Sequence, residues 1–204
     1  SRRNHSDSSH DKGRDRMRIL AILCIILAGS VTPVGSDWLE WGGADRDFTV
    51  SGQLPPAGWP ESGPKQLWRK PLGDGYSAIL SENGVLYTMY RSGTDFEAVI
   101  ALQAETGKVI WEYEQTAALW PDYNAQFGKG PHTTPIISGD NIYAIGVRGE
   151  VVALEKKTGK KIWSRKTWQE LGAEPPGRGY ASSPMVYDGR LIVPVGGKEQ
   201  TLVA

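Results

Sequence analysis

Three stretches share one pattern of apolar and polar positions: AILSENGVLYTMY (Ala78 to Tyr90), TPIISGDNIYAIG (Thr134 to Gly146) and SPMVYDGRLIVPVG (Ser183 to Gly196). Each is an apolar run, a turn rich in Gly, Asn and Asp, and a second run of β-branched and aromatic residues, which is how a β-hairpin reads. A second hairpin follows the first two. VIAL or VVAL is one strand, ETGK or KTGK the turn, and VIW or KIW the return. Four short strands in a repeating unit of roughly 50 residues predict radially arranged blades. Unit one runs from about Gly75 to Trp111 and unit two from about Thr133 to Trp163. Unit three opens at Ala181, and its LVA (Leu202 to Ala204) falls where Val151 to Ala153 falls in unit two. QLWRK around Trp68 reads as the closing strand of a preceding partial blade.

Composition supports an all-β class. Among 204 residues there are 25 Gly, 13 Pro and 8 Trp, which suits tight turns and short strands better than long helices. Twenty-three basic and 23 acidic side chains cancel. No global field draws the chain to nucleic acid or an anionic bilayer, and nucleic-acid partners are excluded on that ground.

The N-terminus is set apart from the fold. Residues 1–16 are polar and charged and read as a disordered or misassigned leader. Residues 17–36 have the layout of a secretory signal peptide: Met17, one Arg, about ten apolar residues, then small residues suited to cleavage. The apolar run is shorter than the roughly 20 residues of a membrane-spanning helix, so no permanent span is expected. The expected compartment is extracytoplasmic, in the periplasm or beyond. Cys24, the sole cysteine, lies within that signal, which leaves the mature chain without a thiol. Residues 37–74 then form an N-terminal segment with the partial blade, and residues 75–204 the repeating blades.

ALQAETGKVIW (Ala101 to Trp111) returns as ALEKKTGKKIW (Ala153 to Trp163). TGK imitates a phosphate-binding loop, but no glycine stands five residues upstream of Gly107 or Gly159 and a strand follows instead of a helix. GDGYSA (Gly73 to Ala78) fails as a dinucleotide fingerprint for the same reason, because a hairpin follows it. An architectural reading accounts for every shared position. Gly107 and Gly159 supply positive φ, Thr106 and Thr158 bond the turn backbone, Ala101 and Ala153 permit close approach, and Trp111 and Trp163 fill gaps between blades.

These two copies resemble the AxDxxTGxxxW tryptophan-docking motif of the pyrroloquinoline quinone (PQQ)-type β-propellers, departing at the third position, where Gln103 and Glu155 stand. That departure predicts a weaker local turn bond. DWLEWGGADRDFTV and the residues after it also resemble the mature start of secreted bacterial PQQ-like repeat proteins. The resemblance implies a β-propeller of four-stranded antiparallel blades, eight in a whole protein, of which the chain holds an N-terminal portion of about three. Its relatives include quinoprotein dehydrogenases, which use PQQ and Ca²⁺, and the outer-membrane β-barrel assembly lipoprotein.

Loops leading into each inner strand, together with the loops between second and third strands, form the candidate ligand face. It carries Tyr76, Arg91, His132, Arg148, Arg178 and Tyr180, with Arg91 and Arg148 read as matching positions of successive blades. A basic, aromatic-lined funnel suits a planar carboxylate. No catalytic residue or metal ligand is singled out, and no cofactor is evident from the residues themselves. Two functions stay open: a non-catalytic module that presents loops to a protein, glycan or envelope partner, and a PQQ- and Ca²⁺-dependent dehydrogenase of alcohols or sugars. The absent vicinal cysteines favour the first.

Overall fold

The structure, a computed structural model, describes residues 37–50, 59–173, 176–196 and 202–204. The leader and signal peptide expected over 1–36 lie outside the described residues. The first sheet is β1 (Leu80–Glu82), β2 (Val85–Ser92), β3 (Phe96–Gln103) and β4 (Val109–Thr116). The second is β5 (Ile136–Ser138), β6 (Asn141–Ile145), β7 (Glu150–Glu155) and β8 (Lys161–Lys166), followed by a single helical turn, α1 (Thr167–Glu170). The third is β9 (Met185–Tyr187), β10 (Arg190–Pro194) and β11 (Leu202–Val203).

Strands neighbour one another in chain order and pair antiparallel in all three sheets. The sheets are therefore successive blades of a β-propeller, each wound from its first strand outward, and these three do not close a ring. Asn83–Gly84 and Asp188–Gly189, all with positive φ, make the tight turns that join first to second strands. In the third blade Val203 stands opposite Val193, as Val152 stands opposite Ala144 in the second.

The first copy of the repeated motif holds the first two blades together. Within a blade, Ala101 pairs with Tyr87 on one side and Trp111 on the other, and Ala153 pairs likewise with Tyr143 and Trp163. The aromatic pairs lie 6.0 Å apart in both blades, so an alanine between them leaves room for two large rings. Between blades, Trp111 Nε1 donates to the Lys156 carbonyl in the next blade's turn at 2.8 Å. A Cβ on Gly159 would stand 2.5 Å from the Trp111 ring, which is why glycine is required there. Trp68 repeats the arrangement, donating to the Ala104 carbonyl at 2.8 Å with its ring against Gly107. QLWRK nevertheless forms no strand, so its tryptophan docks without the expected ladder. The Lys156 ammonium also reaches Glu82 of the first blade at 2.6 Å.

The turn bond expected to be weak is made by other means. Thr106 donates to Gln103 Oε1 at 2.6 Å, and Thr158 donates to Glu155 Oε2. The side chains at the third position are long enough to reach the threonine hydroxyl from outside the turn.

Candidate functional site: an axial cleft crossed by the N-terminal segment

Equivalent positions follow from the ladder register. Leu80, Ile136 and Met185 face Tyr87, Tyr143 and Ile192, so Ser81, Ile137 and Val186 occupy one position in the three first strands. Residues 37–46 bond to that position in every blade. Trp38 exchanges two backbone hydrogen bonds with Ser81 (2.8 and 3.0 Å), the Leu39 carbonyl accepts from Ile137 N at 2.8 Å, and Arg46 donates to the Val186 carbonyl at 3.3 Å. First strands have an unpaired edge, and this segment covers part of it.

A second series links the blades just before their first strands. Ala78, Thr134 and Ser183 are equivalent, and in the first two the main-chain N–H donates to the hydroxyl of the next blade. Ala78 N reaches Thr134 Oγ1 at 3.0 Å, and Thr134 N reaches Ser183 Oγ at 2.8 Å. Hydroxyl residues at this position thus act as inter-blade acceptors.

Between segment and blades opens a cleft of about 430 Å³, walled by Glu40, Trp41 and Arg46 on one side and by Tyr76, His132 and Ser182 among others on the blade side. Arg46 Nε and Nη2 donate to the two oxygens of Glu40, at 2.8 and 3.4 Å. Tyr76 stacks on His132 with centroids 5.3 Å apart and planes 23° apart. His132 Nε2 lies 3.0 Å from the Tyr123 hydroxyl, which also lies 3.1 Å from the Gly128 carbonyl. One hydroxyl proton cannot serve both partners. The network closes when Tyr123 donates to Gly128 and Nε2–H donates to Tyr123, leaving Nδ1 as an acceptor. Burial, then the nearby Arg91 cation, holds His132 below its ordinary value, so the ring is neutral at pH 7.

Of the six residues read from sequence as a ligand face, Tyr76 and His132 meet in this cleft. The other four are elsewhere. Arg91 is 3 % exposed and buried in protein contacts: its guanidinium donates to the carbonyls of Thr94, Ala117 and Lys129 and lies 3.3 Å from Glu97. Nor does it match Arg148. Met89 faces Val99 and Ile145 faces Val151, which makes Val147 the equivalent of Arg91. The loop of the first blade is longer, and counting residues across it misaligned the two arginines. Arg148 donates to the Ala118 carbonyl and covers Trp168, Arg178 covers the Phe127 ring at 4.5 Å, and Tyr180 is buried with its hydroxyl on the Val195 carbonyl. Glu40, Trp41 and Arg46 were missed. They belong to a segment far from the repeats in sequence, and only the packing of that segment brings them to the axis.

Three successively wound antiparallel sheets, the first docked by Trp111 onto a turn of the second, have the form of a β-propeller of PQQ-type repeats. Residues 60–204 match the family model described as outer membrane protein assembly factor BamB, and the chain belongs to that family. It is 52% identical over 76 residues to the outer membrane protein assembly factor BamB of Shewanella oneidensis, covering 36% of this chain and 18% of that protein. It is 30% identical over 122 residues to the quinohemoprotein alcohol dehydrogenase ADH IIB of Pseudomonas putida, covering 59% and 16%. Among solved structures, the quinohemoprotein alcohol dehydrogenase of Comamonas testosteroni aligns with a TM-score of 0.46 at 21% identity, covering 62% of this chain and 18% of that one. The chain thus spans less than a fifth of the length of these relatives. Among the described residues, no helix is long and apolar enough to cross a membrane.

Proposed function

We propose that the chain is part of an extracytoplasmic PQQ-like propeller acting as a non-catalytic binding or scaffold module, with a protein, glycan or other envelope component as partner. The observation that carries this reading is the occupied axis. Residues 37–46 bond to the first strand of all three blades, and the charged pair they bring, Arg46 with Glu40, neutralises itself. The BamB relative, described as an assembly factor, supports a partner among envelope proteins. The signal-like segment over 17–36 supports export.

A dehydrogenase role is the second reading, favoured by the likeness to ADH IIB. Calcium with a bound quinone needs several oxygen donors. Glu40 is the carboxylate of the cleft, and both its oxygens already accept from Arg46. Among the described residues no group of three His, Cys, Asp or Glu side chains gathers elsewhere. These residues do not fit the calcium-bound quinone.

The test is a thermal melt of the full-length protein with PQQ and Ca²⁺, followed by dye reduction with primary alcohols. No rise in Tm and no turnover are expected. A ligand-dependent rise accompanied by dye reduction would overturn the binding-module reading.

A further inference from the structure

We infer that the axial cleft is a binding site for a neutral oligosaccharide, seated between Trp41 and Tyr76. The inference deepens the binding-module reading and rests on it. Two aromatic rings line the cleft while keeping most of their surface open: Tyr76 is 60 % exposed although stacked on His132, and Trp41 is 52 % exposed. Trp41 is also held in place, edge-on to Phe48 with centroids 5.2 Å apart. Aromatic faces fixed from behind and open in front suit the C–H face of a pyranose ring, which gains contact area without losing side-chain freedom.

Polar groups around these rings match hydroxyls rather than charges. Ser183 Oγ and Thr134 Oγ1 each accept from a main-chain N–H, and among the described residues neither hydroxyl proton has an acceptor. The Ser182 hydroxyl and the Trp41 indole N–H likewise have no protein partner among the described residues, and His132 Nδ1 offers an acceptor. The site thus presents several neutral donors and an acceptor, the set that sugar hydroxyls, each donor and acceptor at once, can satisfy. Charge complementarity points the same way. Arg46 and Glu40 cancel and His132 is neutral, so nothing in the cleft calls for an anionic or cationic ligand. Its volume of about 430 Å³ falls within the range of small-ligand clefts.

The experiment is saturation-transfer NMR and calorimetric titration of the full-length protein with the trisaccharides of N-acetylglucosamine, glucose (β1,4) and glucose (α1,4), with PQQ plus Ca²⁺ titrated separately. Saturable binding of at least one trisaccharide is expected, weakened about tenfold by Tyr76→Ala and by Trp41→Ala but kept by Tyr76→Phe. Melting temperatures of the Tyr76 variants should stay near the parent's, since the side chain is exposed. Silence toward all three sugars, or binding indifferent to both alanine variants, overturns the saccharide site. If PQQ is silent as well, the binding-module reading survives that failure. If PQQ binds and supports dye reduction, both fall.

Discussion

Glu97 of β3 accepts a hydrogen bond from the main-chain N–H of Val147 in the neighbouring blade, at 2.9 Å, while its other oxygen lies 3.3 Å from the Arg91 guanidinium. The carboxylate is fully buried. A Cβ at Gly146 would come within 2.8 Å of Glu97 Oε2 and 2.4 Å of Gln115 Nε2, so the glycine is what lets the two blades approach. Glu97, with Arg91 beside it, is thus a polar pin between blades.

That pin makes stability depend on pH. Burial raises the Glu97 carboxyl from 4.5 to about 7, outweighing the opposing pull of the Val147 N–H and Arg91. Between those values the folded state holds a proton that the unfolded state has lost. Stability from this group is therefore complete below pH 4.5 and declines as pH rises toward about 7, by roughly 3 kcal/mol. Denaturant unfolding of the full-length protein and of Glu97→Gln at several pH values checks this: the glutamine variant, which can still accept from Val147, should lose the decline. Glu97→Ala, which leaves the buried Val147 N–H without its acceptor, should cost about 1–3 kcal/mol.

His132 works in the opposite direction. Its folded value lies below 6.5, so its contribution is present above that pH and is lost as pH falls through the lowered value. Nitrogen-detected NMR of the imidazole at pH 7 should find a neutral ring protonated at Nε2. Protonation at Nδ1 would contradict the bond from His132 to Tyr123.

Two glycines with the same backbone twist should respond differently to alanine. Gly84 has φ +77° and no atom within 4 Å of where an alanine Cβ would stand, so Gly84→Ala should cost about 1 kcal/mol from backbone strain alone. Gly159 has φ +70°, and there the Cβ would meet the Trp111 ring at 2.5 Å. Gly159→Ala should cost about 2 kcal/mol more, because the tryptophan must leave its seat. Equal shifts in unfolding midpoint would refute the docking role of that glycine.

Thr134→Val keeps the shape of the side chain and removes the acceptor of Ala78 N–H. A loss of about 1–3 kcal/mol is expected. Hydrogen exchange at the Ala78 amide should quicken with it, and an unchanged exchange rate would mean that the hydroxyl link between blades is idle.

Hairpins, blade count and the tight-turn glycines were legible in the sequence because each depends on neighbours only a few residues apart: alternation sets the strand faces, and Gly, Asn and Asp set the turns. The seat of Trp111 on the second blade's turn could be read as well, since its motif pairs a large ring with a turn glycine. The site was legible only in part. Tyr76 and His132 precede their first strands at equivalent positions, and the repeat alone puts them side by side. Arg91 could have been matched to Glu97, which faces it across the β2–β3 hairpin, but the unequal loop concealed the register. What only the tertiary structure decided is the path of residues 37–46. No repeat encodes that path, for it follows from unpaired edges on three separate first strands, and a segment distant in sequence satisfies them by lying across the axis.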